Sequence, residues 1–151
     1  MLGRGGAGKS TLARRLGERT GIPVVELDTV FWQEGLVART TAEWTAIQQE
    51  LIAEPKWIMD GDLGPYDVVD VRLRTADTVI VLDFSLARCV WRALCRSRER
   101  LDFWRWVIGY RRTSLPPLRA AIARCSPDAT VHVLRDPRAT ARFLASLPET
   151  R

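Results

Sequence analysis

Near the amino end of the chain, Gly3-Arg4-Gly5-Gly6-Ala7-Gly8-Lys9-Ser10-Thr11 fits the pattern G-x-x-x-x-G-K-[ST] at every specified position. Glycines let successive backbone N–H groups turn inward around an anion, where side chains would block the approach and resist positive φ. The Lys9 ammonium is then placed to reach β- and γ-phosphates, and the Ser10 hydroxyl to ligate Mg²⁺. A helix beginning at about Ser10 would add its unpaired N–H groups and the positive end of its dipole. The expected phosphate contacts are therefore Gly3, Gly5, Gly6, Ala7, Gly8, Lys9, Ser10 and Thr11. Lysine is scarce, with Lys9 and Lys56 set against 21 arginines, so its presence here does not follow from composition.

Phosphoryl transfer asks mainly for alignment and charge neutralisation, with a carboxylate base where the acceptor is a hydroxyl. Asp28 is the candidate base, because it follows the apolar run Val24-Val25-Glu26-Leu27 at the strand end where open α/β sheets place their ligands. Asp60 and Asp83 also end apolar runs, and both are candidates to organise Mg²⁺. His132 is the only histidine and sits inside Thr130-Val131-His132-Val133-Leu134, which reads as a strand; no histidine triad and no H-E-x-x-H metal site is available. Cys89, Cys95 and Cys125 form no C-x-x-C pair and read as buried reduced thiols.

The net charge of +5 is unevenly distributed: residues 88–112 hold eight arginines against Glu99 and Asp102, a balance of +6, leaving −1 for everything else. Such a segment suits a small polyanion, and with Trp91, Trp104, Trp106 and Tyr110 interleaved it also suits a stacking surface for DNA or RNA. Two function classes follow: an ATP-dependent kinase acting on a nucleotide or other small molecule, and a nucleotide-binding regulator that engages nucleic acid. No apolar run reaches the length of a membrane span and no signal-peptide pattern opens the chain, so the expected location is cytoplasmic.

The elements that must hold these residues alternate. A helix is expected from Ser10 to about Thr20, ended by Gly21 and Pro23, and a strand over 23–27. Thr29 to Arg39 reads as a loop or short helix; Thr40-Thr41-Ala42-Glu43 is a capping box that opens a helix to about Glu54. A strand follows at Lys56 to Met59, then an ambiguous stretch to Ala76, then the clearest strand, Asp77 to Asp83. The next helix places Leu86, Val90, Ala93, Leu94, Leu101, Trp104 and Ile108 on one face and Arg88, Arg92 and Arg96 on the other, with a break near Asp102. A turn is expected at Pro116-Pro117, a helix over 118–124, a strand over 129–134, and a last helix opened by Asp136-Pro137 and closed by Pro148. This order implies an α/β chain of one domain over 1–151, its parallel sheet flanked by helices. Only Met1 and Leu2 precede the loop, so the strand that would anchor it is expected to be missing, through a start assigned too late or a shortened chain.

The glycine-rich loop, Leu27-Asp28, Trp57-Ile58-Met59-Asp60-Gly61, and Arg72-Leu73-Arg74-Thr75-Ala76-Asp77 leading into Thr78-Val79-Ile80-Val81-Leu82-Asp83 resemble the adenylate-kinase-like branch of P-loop NTPases, most closely the DNA topology modulation (FlaR-type) proteins. The resemblance implies a three-layer fold with five parallel strands in the order 2-3-1-4-5, ATP on the loop and an acceptor beneath flanking helices. It implies roles for Lys9 and Ser10 on ATP and Mg²⁺, for Asp60 on Mg²⁺ through water, for Asp28 and Arg72 on the acceptor side, and for Arg92 and Arg96 as a phosphate clamp. It places the adenine ring near Arg135 to Arg138. The lid, within the arginine-rich segment 88–112, is short between Arg100 and Trp104 for adenylate kinase activity of the usual kind.

Overall fold

The computed structural model describes residues 1–96 and 101–147, with the side chains of residues 96, 101 and 102 left undescribed. In chain order the elements are β1 (Leu2–Gly3), α1 (Lys9–Thr20), β2 (Val24–Glu26), α2 (Leu27–Phe31), β3 (Trp32–Gln33), β4 (Val37–Ala38), α3 (Thr41–Ile52), β5 (Ile58–Asp60), α4 (Asp70–Leu73), β6 (Thr78–Leu82), α5 (Leu86–Arg96), α6 (Leu101–Thr113), α7 (Leu115–Cys125), β7 (Thr130–Leu134) and α8 (Pro137–Ser146).

β1, β6 and β7 form one parallel ladder in that spatial order, and β2 pairs with β5 in another. Met1 joins the two: its nitrogen donates to Met59 O, and its carbonyl accepts from Gly61 N at 3.2 Å. The five parallel strands thus run β2-β5-β1-β6-β7, the order 2-3-1-4-5 when counted without the small β3–β4 hairpin. The anchoring strand is present in shortened form, contrary to the expectation that it is missing: Leu2 pairs with Val81 and Gly3 with Leu82.

β6 shows why this sheet needs cover on both faces. Val79 and Val81 pack with Tyr110, Leu115, Leu118 and Ile122 of α6 and α7, whereas Ile80 and Leu82 pack with Leu12, Leu16 and Leu144 of α1 and α8. The alternation is that of a strand with two buried sides, which is why it reads as a continuous apolar run. A third cluster, Leu27, Phe31, Trp44, Met59 and Leu63, lies under α2 and α3. The capping box of α3 forms as expected, with Glu43 N donating to Thr40 Oγ1 at 3.3 Å and Thr40 N to Glu43 Oε2 at 2.8 Å.

Several local expectations are corrected. Residues 32–38 form the β3–β4 hairpin, turned by Gly35 and Leu36 in left-handed conformations. Pro116 and Pro117 lie in the first turn of α7, where a missing N–H costs nothing, so the helix begins at Leu115. The apolar stripe drawn from Leu86 to Ile108 does not hold: Leu94 and Ile108 are exposed, while Cys89 and Ala93 on α5 and Val107 and Tyr110 on α6 are buried. The buried residues share only Ala93 with the predicted stripe and lie on a face displaced around the helix from it, because apolar side chains occur on both faces of α5 and α6. Of the cysteines only Cys89 is buried; Cys95 is exposed and Cys125 half-buried. His132 is half-buried, its ring 4.7 Å from that of Phe143.

Candidate nucleotide and acceptor site

Each parallel strand ends at the same edge of the sheet, and the candidate side chains are the residues that follow. Gly3 leads into the glycine loop, Glu26 into Asp28, β5 ends on Asp60, Leu82 precedes Asp83, and Leu134 precedes Arg135. This is the edge at which open parallel sheets bind ligands.

The loop between β1 and α1 is curled, with Gly6 at φ 76° and Gly8 at φ 95°. Gly6 lies so close to α5 that a Cβ there would stand 2.4 Å from the Cys89 carbonyl oxygen. Gly8 is the N-cap of α1 and supplies no side-chain cap, which leaves the first-turn N–H groups open to an anion. Lys9 Nζ arches back over the loop to Gly3 O at 2.8 Å and Arg4 O at 3.3 Å. Ala7 is buried, Ser10 is half-buried and Thr11 is exposed. A Cβ on Gly8 would lie 3.2 Å from both terminal nitrogens of Arg92, so that guanidinium is brought over the loop. The side chain of Arg96, and Arg98 and Arg100, lie outside the described residues.

Asp60 is 3% exposed, and its Oδ1 has no hydrogen-bond partner among the described residues. A buried carboxylate oxygen without a donor asks for a cation or for ligand hydroxyls. Asp83, its rival, accepts from Arg111 Nε at 2.8 Å, and so already has a cation. Among the described residues no group of three or more His, Cys, Asp or Glu side chains is placed to hold a metal unaided. Mg²⁺ needs only one or two protein ligands when phosphates supply the rest, so Ser10 and Asp60 fit it.

Asp28 lies in the first turn of α2 and is exposed. Desolvation there is the main cause that raises its carboxyl above the ordinary 3.8; Lys9 opposes the shift, and Asp60, Asp67 and Asp62 add to it. Arg72, expected to contact the acceptor, lies nearby but is only 3% exposed. Its guanidinium donates to Asp67 Oδ1 at 2.7 Å and Oδ2 at 2.6 Å, to Gln48 Oε1 at 3.0 Å and to Gly61 O at 3.1 Å. Arg135 is exposed just before Asp136, the N-cap of α8.

Sequence reasoning missed the contacts of three groups, and Tyr110, expected on a stacking surface, is instead buried at 1% exposure. Asp62 takes Gly3 N at 3.3 Å, Tyr110 Oη at 2.7 Å and Gly64 N at 3.2 Å, tying the phosphate loop to α6 and to the acceptor-side loop. Tyr110 has its phenol pKa pushed upward, first by burial and then by the Asp62 charge. Arg4 is buried with its guanidinium 5.8 Å from the Tyr110 ring centre, and its Nε and Nη1 have no hydrogen-bond partner among the described residues. No short motif marks any of the three.

No family model matches the chain, and no curated protein sequence does. Solved structures do. A gluconokinase from Sinorhizobium meliloti 1021 is similar over 95% of this chain and 90% of its own, at 17% identity and a TM-score of 0.54. A sugar kinase from Janibacter sp. HTCC2649 is similar over the same shares, at 20% identity and a TM-score of 0.52. Among the described residues no helix is long and apolar enough to cross a membrane. With a parallel sheet of this order, helices on both faces and a glycine loop between the first strand and the first helix, the chain has the α/β fold of the P-loop kinases.

Proposed function

We propose that the protein is a Mg²⁺-dependent kinase that transfers the γ-phosphate of ATP to a small-molecule or nucleotide acceptor, of the adenylate-kinase-like branch and near the FlaR-type proteins, working in the cytoplasm. The observation that carries this reading is the pairing of a glycine loop whose helix has no side-chain N-cap, beneath Lys9, with a buried, unpartnered Asp60 oxygen on the adjoining strand end. Its structural neighbours, a gluconokinase and a sugar kinase, agree with it.

In this reading the loop N–H groups from Gly3 to Thr11 hold the β- and γ-phosphates, and Arg135 borders the adenine. Ser10 and Asp60 would hold Mg²⁺, which would supply positive charge against the phosphate oxygens. Lys9 leaves the loop carbonyls for the phosphate oxygens, and Arg92 and Arg96 steady the transferring group. The acceptor hydroxyl oxygen forms a bond to the γ-phosphorus, the bond from that phosphorus to the β–γ bridging oxygen breaks, and ADP leaves with the electron pair. The hydroxyl proton passes to an Asp28 carboxylate oxygen. Arg72 braces the acceptor-side loop through Asp67 and Gly61.

The test is titration with a non-hydrolysable ATP analogue and Mg²⁺, paired with ADP release over a panel of acceptors. Lys9→Ala is expected to lower turnover by about 10²–10³, as for loss of one preorganised donor to transition-state charge. A wild-type protein with no Mg²⁺-assisted affinity for the analogue refutes the reading. One feature favours a nucleic-acid role instead: Trp91 is 70% exposed on α5 between Arg88 and Arg92. Salt-sensitive binding of single-stranded DNA or RNA that survives Lys9→Ala and is lost in Trp91→Ala, without acceptor-dependent turnover, would establish that second reading.

A further inference from the structure

The acceptor side of the cleft has a charge of its own, and it bears on what the acceptor can be. The charged groups that act on Asp28 are Lys9, Asp60, Asp67 and Asp62. Three of the four are carboxylates, and the one cation, Lys9, is held by the carbonyls of the phosphate loop.

A phosphorylated acceptor would need an arginine fork on this side, and each described arginine nearby is buried, bonded through part of its guanidinium, or placed on the ATP side. Arg72 gives both terminal nitrogens to Asp67 and is further used by Gln48 and Gly61. Arg39 donates from Nε to Val30 O at 3.0 Å and lies beside the Glu43 carboxylate. Arg92 stands over Gly8, on the ATP side, and Arg4 is buried against Tyr110.

The aromatic rings on this side point the same way. The Phe31 ring centre lies 4.9 Å from that of Trp32 and 5.9 Å from that of Tyr66, and Trp32 and Tyr66 are 5.7 Å apart. Tyr66, which directly precedes Asp67, is 54% exposed and Trp32 half-buried, so the cluster reaches solvent. Such faces receive the C–H side of a polyol or an ammonium group, whereas an anion would meet the negative face of the ring.

Resting on the kinase reading above, we propose that the phosphoryl acceptor is a hydroxyl compound that is uncharged or cationic, such as a polyol, a sugar or an amino sugar, and that phosphorylated acceptors are excluded. Asp28, with Asp60, Asp62 and Asp67 acting on it against Lys9 alone, turns away a phosphate dianion by like-charge repulsion and gives hydroxyl and ammonium groups a hydrogen-bond acceptor. A hydroxyl also makes use of Asp28 as the proton acceptor, for which a phosphate oxygen has no need.

The experiment uses the full chain with MgATP and follows ADP release in the presence of uncharged sugars and polyols, amino sugars, sugar acids, sugar phosphates and nucleoside monophosphates at equal concentration. Binding of a non-hydrolysable ATP analogue is measured in parallel. Acceptor-dependent ADP release at least tenfold above background is expected from one or more uncharged or amino-bearing compounds, and none from the phosphorylated ones. Tyr66→Ala should raise KM for the responding acceptor several-fold and leave analogue affinity unchanged. Turnover that is greatest with a nucleoside monophosphate, a sugar phosphate or a sugar acid overturns the proposal. Silence from every uncharged and cationic compound, with the analogue bound, overturns it too and leaves ATP binding standing. Failure to bind the analogue removes the kinase reading beneath it.

Discussion

Arg72→Met separates a structural guanidinium from an acceptor-binding one. Both members of the Arg72–Asp67 pair are buried, at 4% and 5% side-chain exposure, and the contact is bidentate at 2.7 and 2.6 Å. Removing the arginine leaves the Asp67 carboxylate underground with the Leu63 N–H at 3.4 Å as its remaining recorded donor, and strips a donor from Gln48 Oε1 and Gly61 O. Breaking a buried pair from one side costs about 3–5 kcal/mol, because the surviving charge has lost its compensation. In a chain of this length that is a fall in Tm of roughly 6–20 °C. The assay is urea and thermal unfolding of the wild type, Arg72→Met, and the double variant Asp67→Leu with Arg72→Met. The double variant should recover at least half of the loss, since it leaves no lone buried charge and fills the space with apolar side chains. Arg72→Met costing under about 1 kcal/mol while raising KM for the acceptor would refute the reasoning and return the guanidinium to the substrate.

Three further outcomes are expected. Because desolvation raises the Asp28 carboxyl above 3.8, the folded chain holds that proton more tightly than the unfolded chain does. Its contribution to stability is therefore present below 3.8 and declines as pH rises through the raised value. Asp28→Asn should abolish that decline in unfolding experiments run at successive pH values above 3.8. It should also remove the acidic limb of the pH–kcat/KM profile along with most of the turnover. Tyr110→Phe deletes the 2.7 Å hydrogen bond to Asp62, worth about 1.5–3 kcal/mol for a bond to a charged group, read by urea unfolding. Gly6→Ala puts a Cβ at 2.4 Å from the Cys89 carbonyl on a residue at φ 76°, and should weaken ATP-analogue binding in calorimetry more than it lowers Tm.

The sheet was readable in the sequence because its signals are local and reinforce one another. The run from Thr78 to Leu82 is apolar on both alternating faces, and Thr40 with Glu43 states a helix start in four residues. The glycine loop was readable for the same reason, since its pattern is contiguous. What escaped depends on long-range geometry. Asp62 gains its meaning from Tyr110, 48 positions away, and Arg72 from Gln48, 24 positions away, and no periodicity links such pairs. Asp83 and Asp60 look alike in sequence because both end strands; only the arrival of Arg111 from α6 distinguishes them. The stripe across residues 86–108 failed because apolar side chains lie on both faces of α5 and α6: packing selects the face of Cys89, Val107 and Tyr110 and leaves Leu94 and Ile108 exposed, and period alone does not say which face that is.

The loop's glycine content has a cause beyond phosphate binding. Its ligand-facing N–H groups require curvature, but the residues themselves are pressed from behind: a Cβ on Gly3 would stand 2.5 Å from Leu82 O, and one on Gly6 2.4 Å from Cys89 O. β6 and the first turns of α5 therefore form the wall against which the loop is cast. The same helix extends Arg92 over Gly8, so one rigid element sets both the shape of the cradle and the position of a cation above it. On the other flank, Asp62 holds Gly3 N while its second oxygen holds Gly64 N, which ties the acceptor-side loop to the same cradle. The two flanks of the loop are thus registered through its own backbone. Packing behind it, at Cys89 or Tyr110, should consequently affect ATP affinity as strongly as side chains in front, a coupling that Tyr110→Phe and Gly6→Ala together put to the test.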